Sequence, residues 1–230
     1  TYDLARLDGA GFTVRRAVDG EEITTLDGVE RTLESSDGVV TDAQNVVIGI
    51  AGVMGGASTE IDETTTTVAL EMAWWDPISI SATARRLGLR SEASARFERG
   101  ADPEVAELAM QRFVELLAPS GVTMAPGLID ERGNLPAVDP VTVRVARVNA
   151  LLGTEVSQEA MSALLTSLEF ANTVDGDNLQ VIVPSFRPDT TTETDIAEEV
   201  ARLYGYANIA KTVPLSTLTG GLTSRQKDRR

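Results

Sequence analysis

The stretch Asn45-Val46-Val47-Ile48-Gly49-Ile50-Ala51, followed at once by Gly52, Gly55 and Gly56, limits the fold more than any other. It is short, β-branched and bounded by turn residues, the signature of a buried strand. The longest apolar run, Val46 to Ala57, is about 12 residues and broken by glycines. A membrane span needs about 20. Glycine lets a backbone turn tightly and approach a ligand closely. Neither the dinucleotide nor the P-loop fingerprint is present, because the spacing differs and no Lys-Ser/Thr follows. A tight turn between strands explains these glycines on pattern alone; a ligand-cradling bend is the alternative.

A second strand is expected over Thr67 to Ala73, with Val68, Leu70 and Met72 on one face and Ala69, Glu71 and Ala73 on the other. Glu71 thus stands among alanines, as on a pocket floor or as a solvent-facing glutamate. Two Asp-Pro pairs, Asp76-Pro77 and Asp102-Pro103, predict helix starts, since aspartate caps free N–H groups and proline fits the first helical position. The first helix carries Ile80, Ala84 and Leu87 and stops at Gly88. The second carries Val105, Leu108, Ala109, Phe113, Leu116 and Leu117 and stops at Pro119. Pro119, Gly121, Pro126, Gly127, Gly133, Pro136 and Pro140 mark a linker. Beyond it, strands at Val141–Val145 and Leu179–Val183 and helices at Ser157–Phe170 and Glu193–Tyr204 fit a small winged-helix-like plan. The expected class is α+β, with a first domain over 1–120, a linker over 121–140, a second domain over 141–212 and a further linker over 213–230.

Composition removes several chemistries. Among 230 residues there is no cysteine and no histidine, so this piece has no disulfide, thiolate metal site or imidazole base. A net charge of −15 repels phosphate backbones and argues against general nucleic-acid binding, DNA included. Against that background Arg85, Arg86, Arg90, Arg96 and Arg99 crowd together, either as an RNA contact or as a solvated face paired with Glu92 and Glu98. On the last helix Asp195, Glu198 and Glu199 share a face at i, i+3, i+4, and Arg202 is spaced to pair with Glu198. With Asp189 these acids could ligate a hard cation such as Mg²⁺ or simply form an exposed salt-bridged face. Thr1-Tyr2-Asp3 has neither an initiator methionine nor the form of a signal peptide, so the chain is expected to be an internal piece.

Four runs together carry a family resemblance: Ile50-Ala-Gly-Val-Met-Gly-Gly56, Val68-Ala-Leu-Glu71, Ala84-Arg-Arg-Leu-Gly-Leu-Arg-Ser-Glu-Ala-Ser94 and Arg96-Phe-Glu-Arg-Gly-Ala-Asp-Pro103. In order and spacing they resemble the editing domain of bacterial phenylalanyl-tRNA synthetase β subunits. The resemblance implies hydrolysis of tyrosine wrongly attached to tRNA(Phe). It implies catalytic positions at Glu71 and Ser91, with Glu71 recognising the para-hydroxyl. It also implies a pocket of Gly52, Gly55, Glu71, Ser91 and Ala93; serine at 91 replaces a common threonine but keeps the hydroxyl. Thr1-Tyr2-Asp3-Leu4 resembles the tail of the family's Pro-x-His-x-Phe/Tyr-Asp motif, whose histidine would precede Thr1. Val183-Pro-Ser-Phe-Arg-Pro-Asp189 with Asp195-Ile-Ala-Glu-Glu-Val-Ala-Arg-Leu-Tyr-Gly-Tyr206 resembles the family's winged-helix-like domain, implying Mg²⁺ at Asp189, Asp195, Glu198 and Glu199. Pro188 stands where an apolar or aromatic residue is common. The tail Gly220–Arg230 resembles the approach to a synthetase-like domain. For the parent enzyme the resemblance implies a cytoplasmic α2β2 heterotetramer with an α subunit, tRNA(Phe), ATP and aminoacylation. The rival expectations are a non-catalytic subunit- or RNA-binding module and a free-standing editing hydrolase.

Overall fold

A computed structural model describes residues 1–9, 11–135, 137–211 and 221–229. Of the expected second linker, 213–220 and 230 lie outside the described residues, and 221–229 include a short helix. Contacts divide the chain into two units: Thr1–Asp139 with Val183–Thr191, and Pro140–Ile182 with Thr192–Arg230. Helices and antiparallel sheets together make the class α+β.

In the first unit the strands are β1 (Tyr2–Asp3), β2 (Thr13–Arg16), β3 (Glu22–Thr24), β4 (Glu30–Thr32), β5 (Gly38–Thr41), β6 (Val47–Ile50), β7 (Met54–Gly55) and β8 (Val68–Ala69). Strands β2-β5-β6-β7 form one antiparallel sheet in that order, β3 and β4 form a hairpin, and β1 pairs with β8. The predicted apolar run is β6, and all four of its residues are buried. A strand covered on both faces needs no polar alternation. Val39 of β5 joins a core cluster with Leu33, Ile50, Val53, Ile80 and Leu89. Its neighbour Val40 joins another cluster with Tyr2, Leu7, Ile48 and Ala51.

The helices are α1 (Pro77–Leu87), α2 (Glu92–Phe97) and α3 (Ala106–Leu117). Helix α1 runs as its punctuation predicts: Asp76 accepts from the Ser79 N–H, Pro77 opens the first turn, and Gly88 closes it at φ 63°. Helix α3 begins later than its Asp-Pro pair predicts. The Asp102 side chain captures the Glu104 N–H at 2.9 Å, forming a turn ahead of the helix, and the N-cap is Val105. None of the α3 residues is buried, so its apolar stripe is not covered by a core among the described residues.

The expected strand over Thr67–Ala73 is a correction. Only Val68 and Ala69 pair, because their partner β1 is two residues long and the chain turns into a 3₁₀ segment at Leu4. A strand extends no farther than the backbone that ladders with it. Val68, on the face expected to carry Leu70 and Met72 as well, is 40% exposed.

The second unit contains β9 (Val141–Arg144), α4 (Val145–Leu152), α5 (Gln158–Ser167), β10 (Ala171–Asp175), β11 (Asn178–Ile182), α6 (Glu193–Tyr204) and α7 (Ser224–Lys227). Its sheet runs β10-β11-β9, antiparallel throughout. Val143, Met161, Leu165, Phe170, Leu179, Val181, Ile196 and Val200 are fully buried. No described helix is long and apolar enough to cross a membrane.

Candidate functional site

The β6–β7 hairpin is the hub of the predicted site. Its loop is Ala51-Gly52-Val53, with Gly52 at φ 65°, a region L side chains rarely adopt. A Cβ on Gly52 would also lie 2.7 Å from both Ile80 Cδ1 and Trp75 Cδ1. Gly52 therefore serves close packing of the loop onto α1 and the segment before it. Gly49 and Gly55 are cross-strand partners. Neither carries a side chain, and a Cβ on Gly49 would lie 3.6 Å from the Tyr2 hydroxyl. Gly56 sits so close to Ile48 that a Cβ would meet its carbonyl oxygen at 2.8 Å. The residues just after β3 buttress this edge through the Thr25–Gly56 bridge and a 3.0 Å bond from the Leu26 N–H to the Gly55 carbonyl.

Glu71 lies just beyond β8, is exposed, and accepts a hydrogen bond on Oε2 from the Tyr2 hydroxyl. The Tyr2 ring is only 6% exposed. Burial, then the charge of Glu71 and the hydrogen bond to it, push the Tyr2 phenol well above its ordinary value. The segment bearing Tyr2 is fastened to the loop before β8. The Leu4 N–H donates to Thr67 O at 3.0 Å, the Thr65 hydroxyl to Asp3 at 2.8 Å, and Arg6 to Glu60 O at 2.9 Å, with an ion pair to Asp62. Glu71, the Tyr2 phenol and Gly49 thus form one contiguous group, and Gly55 stands across the ladder from Gly49 with Leu26 over it.

Ser91 reaches the same hairpin from another side. As N-cap of α2 it accepts from the Ser94 N–H at 3.0 Å, and its hydroxyl donates to the Val53 carbonyl. That hydroxyl is engaged in fastening α2 to the glycine loop. Ala93 is exposed on α2. A cavity of about 540 Å³ is lined by Arg90, Ser91, Glu92, Ala95, Arg96 and Arg99. Neither Glu71, Gly52, Gly55 nor Ala93 is among its walls. The hairpin therefore approaches the Tyr2 phenol at Gly49 and meets Ser91 at Val53, while the cavity belongs to the Ser91 side.

The arginine cluster separates into roles. Arg86 is structural: it pairs with Asp37, whose fully buried carboxylate also accepts from the Thr83 hydroxyl at 2.8 Å and the Glu34 N–H at 2.9 Å. Arg96 reaches Glu92 at 3.4 Å. Arg90, Arg96 and Arg99 face the cavity, while Arg85 lines a separate hollow with Pro77, Ile78 and Glu98.

The four acids proposed for Mg²⁺ are held differently from the expectation. In the first unit Asp189 is gripped by Arg187 through bonds of 2.9 and 2.7 Å, and that guanidinium holds its carboxyl below the usual carboxylate range. Pro188 beside it packs on Gly100, where a Cβ would come within 2.8 Å of the ring. In the second unit Asp195 closes the α6 capping box with Thr192, and Glu198 is exposed. Glu199 is 7% exposed and pairs with Arg202, which sequence spacing had assigned to Glu198. Glu199 lies at the buried edge of α6, so the pairing follows burial and runs i, i+3. Among the described residues no three acidic groups gather so as to hold a metal ion. Asp189, Asp195 and Glu199 are each engaged by a protein partner, while Glu198 is exposed.

Two residues that matter here carried no clear signal. Tyr2 meets Glu71 across 69 positions, and Asp37 meets Thr83 across 46. Only contact between distant segments reveals either.

Comparisons with known proteins agree across the chain. The B3/4 domain model matches residues 1–120, and the tRNA synthetase B5 domain model matches 141–206. The phenylalanine–tRNA ligase β subunit of Halalkalibacterium halodurans is 44% identical over 100% of this chain and 28% of its own length. That of Moorella thermoacetica is 48% identical over 98% of this chain and 27% of its own. The chain thus spans a little over a quarter of these relatives. A solved N-terminal fragment of the phenylalanyl-tRNA synthetase β subunit from Pyrococcus horikoshii covers 89% of this chain and 59% of its own at 17% identity and a TM-score of 0.41, too loose to add to the fold. The chain belongs to the phenylalanine–tRNA ligase β-subunit family, over the stretch that holds its B3/4 and tRNA synthetase B5 domains.

Proposed function

We propose that this chain supplies, within a phenylalanine–tRNA ligase, the site that recognises and hydrolyses tyrosine wrongly attached to tRNA(Phe). One observation carries the reading: the Glu71 carboxylate already accepts a phenolic O–H, from Tyr2, beside the side-chain-free pair Gly49–Gly55. Its second oxygen, Oε1, has no hydrogen-bond partner among the described residues and is free to accept another phenol.

Tyrosine and phenylalanine differ by that single hydroxyl, and an apolar synthetic pocket rejects an added hydroxyl by only about 10²-fold. A carboxylate acceptor filters by chemistry. When tyrosine covers Glu71, the lost water is replaced by a charge-assisted hydrogen bond. When phenylalanine covers it, the oxygen is stripped of water and left unpaired, at about 1–3 kcal/mol, or roughly 10- to 100-fold. Hydrolysis adds water across the aminoacyl ester, releasing tyrosine and the free tRNA. With no histidine or cysteine in this chain, its residues bind and orient. The attacking water would be placed by backbone groups and by the ribose hydroxyls of the substrate, and no step runs through Mg²⁺. Gly52, Gly55, Ser91 and Ala93 shape the surroundings in this reading. The parent protein would act in the cytoplasm with tRNA(Phe), an α subunit and ATP.

A non-catalytic RNA-binding role has one observation in its favour, the cavity faced by Arg90, Arg96 and Arg99 and not by Glu71. Deacylation of preformed tyrosyl-tRNA(Phe) by the intact ligase separates the two. Glu71→Ala should slow it by roughly 10- to 100-fold, the loss of a charged hydrogen bond. An unchanged rate would refute the recognition role and leave the RNA-binding module.

A further inference from the structure

Glu71 is exposed, and an exposed glutamate has three freely turning bonds, so an isolated carboxylate there would sample many orientations. A binding group that must be ordered at the moment of encounter loses affinity to that ordering. Here one oxygen is already fixed. The donor is Tyr2, whose ring is buried among Leu7, Val40, Ile48 and Ala51 and tilts against Phe12 at 5.2 Å between centroids. Its backbone is set opposite Ala69 by the β1–β8 register, two residues before Glu71. The phenol rests where Gly49 has no side chain, 3.6 Å from the position a Cβ would take. Ring, backbone and hydroxyl are thus all held.

We propose that Tyr2 is a positioning residue for substrate recognition: its buried hydroxyl pins Oε2 of Glu71 and leaves Oε1 presented to the phenol of a bound tyrosine. The inference rests on the recognition role given to Glu71 and adds what aims that carboxylate. Two features make the pin durable. Burial and the neighbouring carboxylate keep the Tyr2 proton in place well above neutral pH, so the phenol is always a donor. The four fastenings of residues 3–6 to the 60–67 loop keep the segment from swinging away. Rigid support behind a recognition group is what sharpens its choice between near-identical ligands.

The test is Tyr2→Phe in the intact ligase, which keeps the ring in its core and removes only the hydroxyl. Deacylation of tyrosyl-tRNA(Phe) and phenylalanyl-tRNA(Phe) is measured side by side, together with Glu71→Ala and the double variant. Tyr2→Phe should lower kcat/KM for the tyrosyl substrate about tenfold, the size of one hydrogen bond to a charged group. The phenylalanyl rate should stay as it was, so the preference for tyrosine falls by the same factor. Because Tyr2 acts through Glu71, adding Tyr2→Phe to Glu71→Ala should cost nothing more. That coupling is read between variants and is not mimicked by a general loss of stability, which would slow both substrates and add to the Glu71 effect. Unchanged selectivity in Tyr2→Phe, or additive losses in the double variant, would overturn the role of Tyr2 while leaving Glu71's intact. A Glu71→Ala enzyme that still prefers tyrosine would remove the recognition reading itself, and the role of Tyr2 with it.

Discussion

The two units use their buried positions differently. The second unit fills its interior with apolar side chains. Phe170, Met161, Leu165, Leu179 and Ile196 all reach zero exposure around one three-stranded sheet. The first unit divides its apolar core into two clusters and buries Asp3, Asp37, Thr25, Thr41, Thr59 and Ser94 as well. Its central hairpin carries glycines where side chains would otherwise stand. Apolar packing gives the second unit its stability. Glycine gaps and buried carboxylates held by several donors, as at Asp37, give the first unit a rigid but uneven surface, on which a carboxylate can be aimed.

If that contrast holds, the largest effect comes from the apolar interior. Phe170→Ala should cost the second unit about 3–5 kcal/mol. Both tryptophans, Trp74 and Trp75, lie in the first unit. Denaturant unfolding should therefore show an early helical transition by circular dichroism with an unmoved tryptophan transition. Joint movement of both signals would erase the distinction between the units. Gly52→Ala should act in reverse, lowering the tryptophan transition alone. Overpacking against Trp75 and Ile80 costs about 1–3 kcal/mol, and the left-handed backbone about 1 more. A neutral Gly52→Ala would mean the loop relaxes, and the hairpin would lose its standing as a rigid hub.

The smallest effect sharpens the comparison at one helix end. Asp76→Ala removes the α1 cap, worth about 1 kcal/mol. Hydrogen bonds from the Ser79 hydroxyl and N–H hold the Asp76 carboxyl below its ordinary value. A depressed folded-state value adds stability at neutral pH, and that contribution is lost as pH falls below the ordinary aspartate value of about 3.9. The gap between the wild-type protein and Asp76→Ala should therefore be present at pH 7 and close in stronger acid. A gap independent of pH would assign the cap a non-ionic origin.

What the sequence made legible follows the range of each interaction. Helix α1 was readable because Asp76, Pro77 and Gly88 are local signals, and α6 because its apolar stripe matches its buried face. Alternation over Thr67–Ala73 predicts a longer strand than forms, because nothing local shows that its partner β1 is two residues long. Helix α2 and strand β10 were missed, one for its shortness and one for its polar sequence Ala171-Asn-Thr-Val-Asp175. Glu71 stood out among its alanine neighbours, yet the group that holds it lies 69 residues away. Spacing alone pairs Arg202 with Glu198, and the buried Glu199 takes it instead. Charge pairing on a helix follows burial as well as register.

Recognition turns on an exposed carboxylate with one oxygen pinned and one offered near a pair of facing glycines. A crystal structure of the intact ligase soaked with L-tyrosine examines that directly. The phenol oxygen should lie about 2.5–3.0 Å from Oε1 of Glu71, with the Tyr2 hydroxyl still on Oε2. Tyrosine seated elsewhere, with residue 71 turned to water, would contradict it.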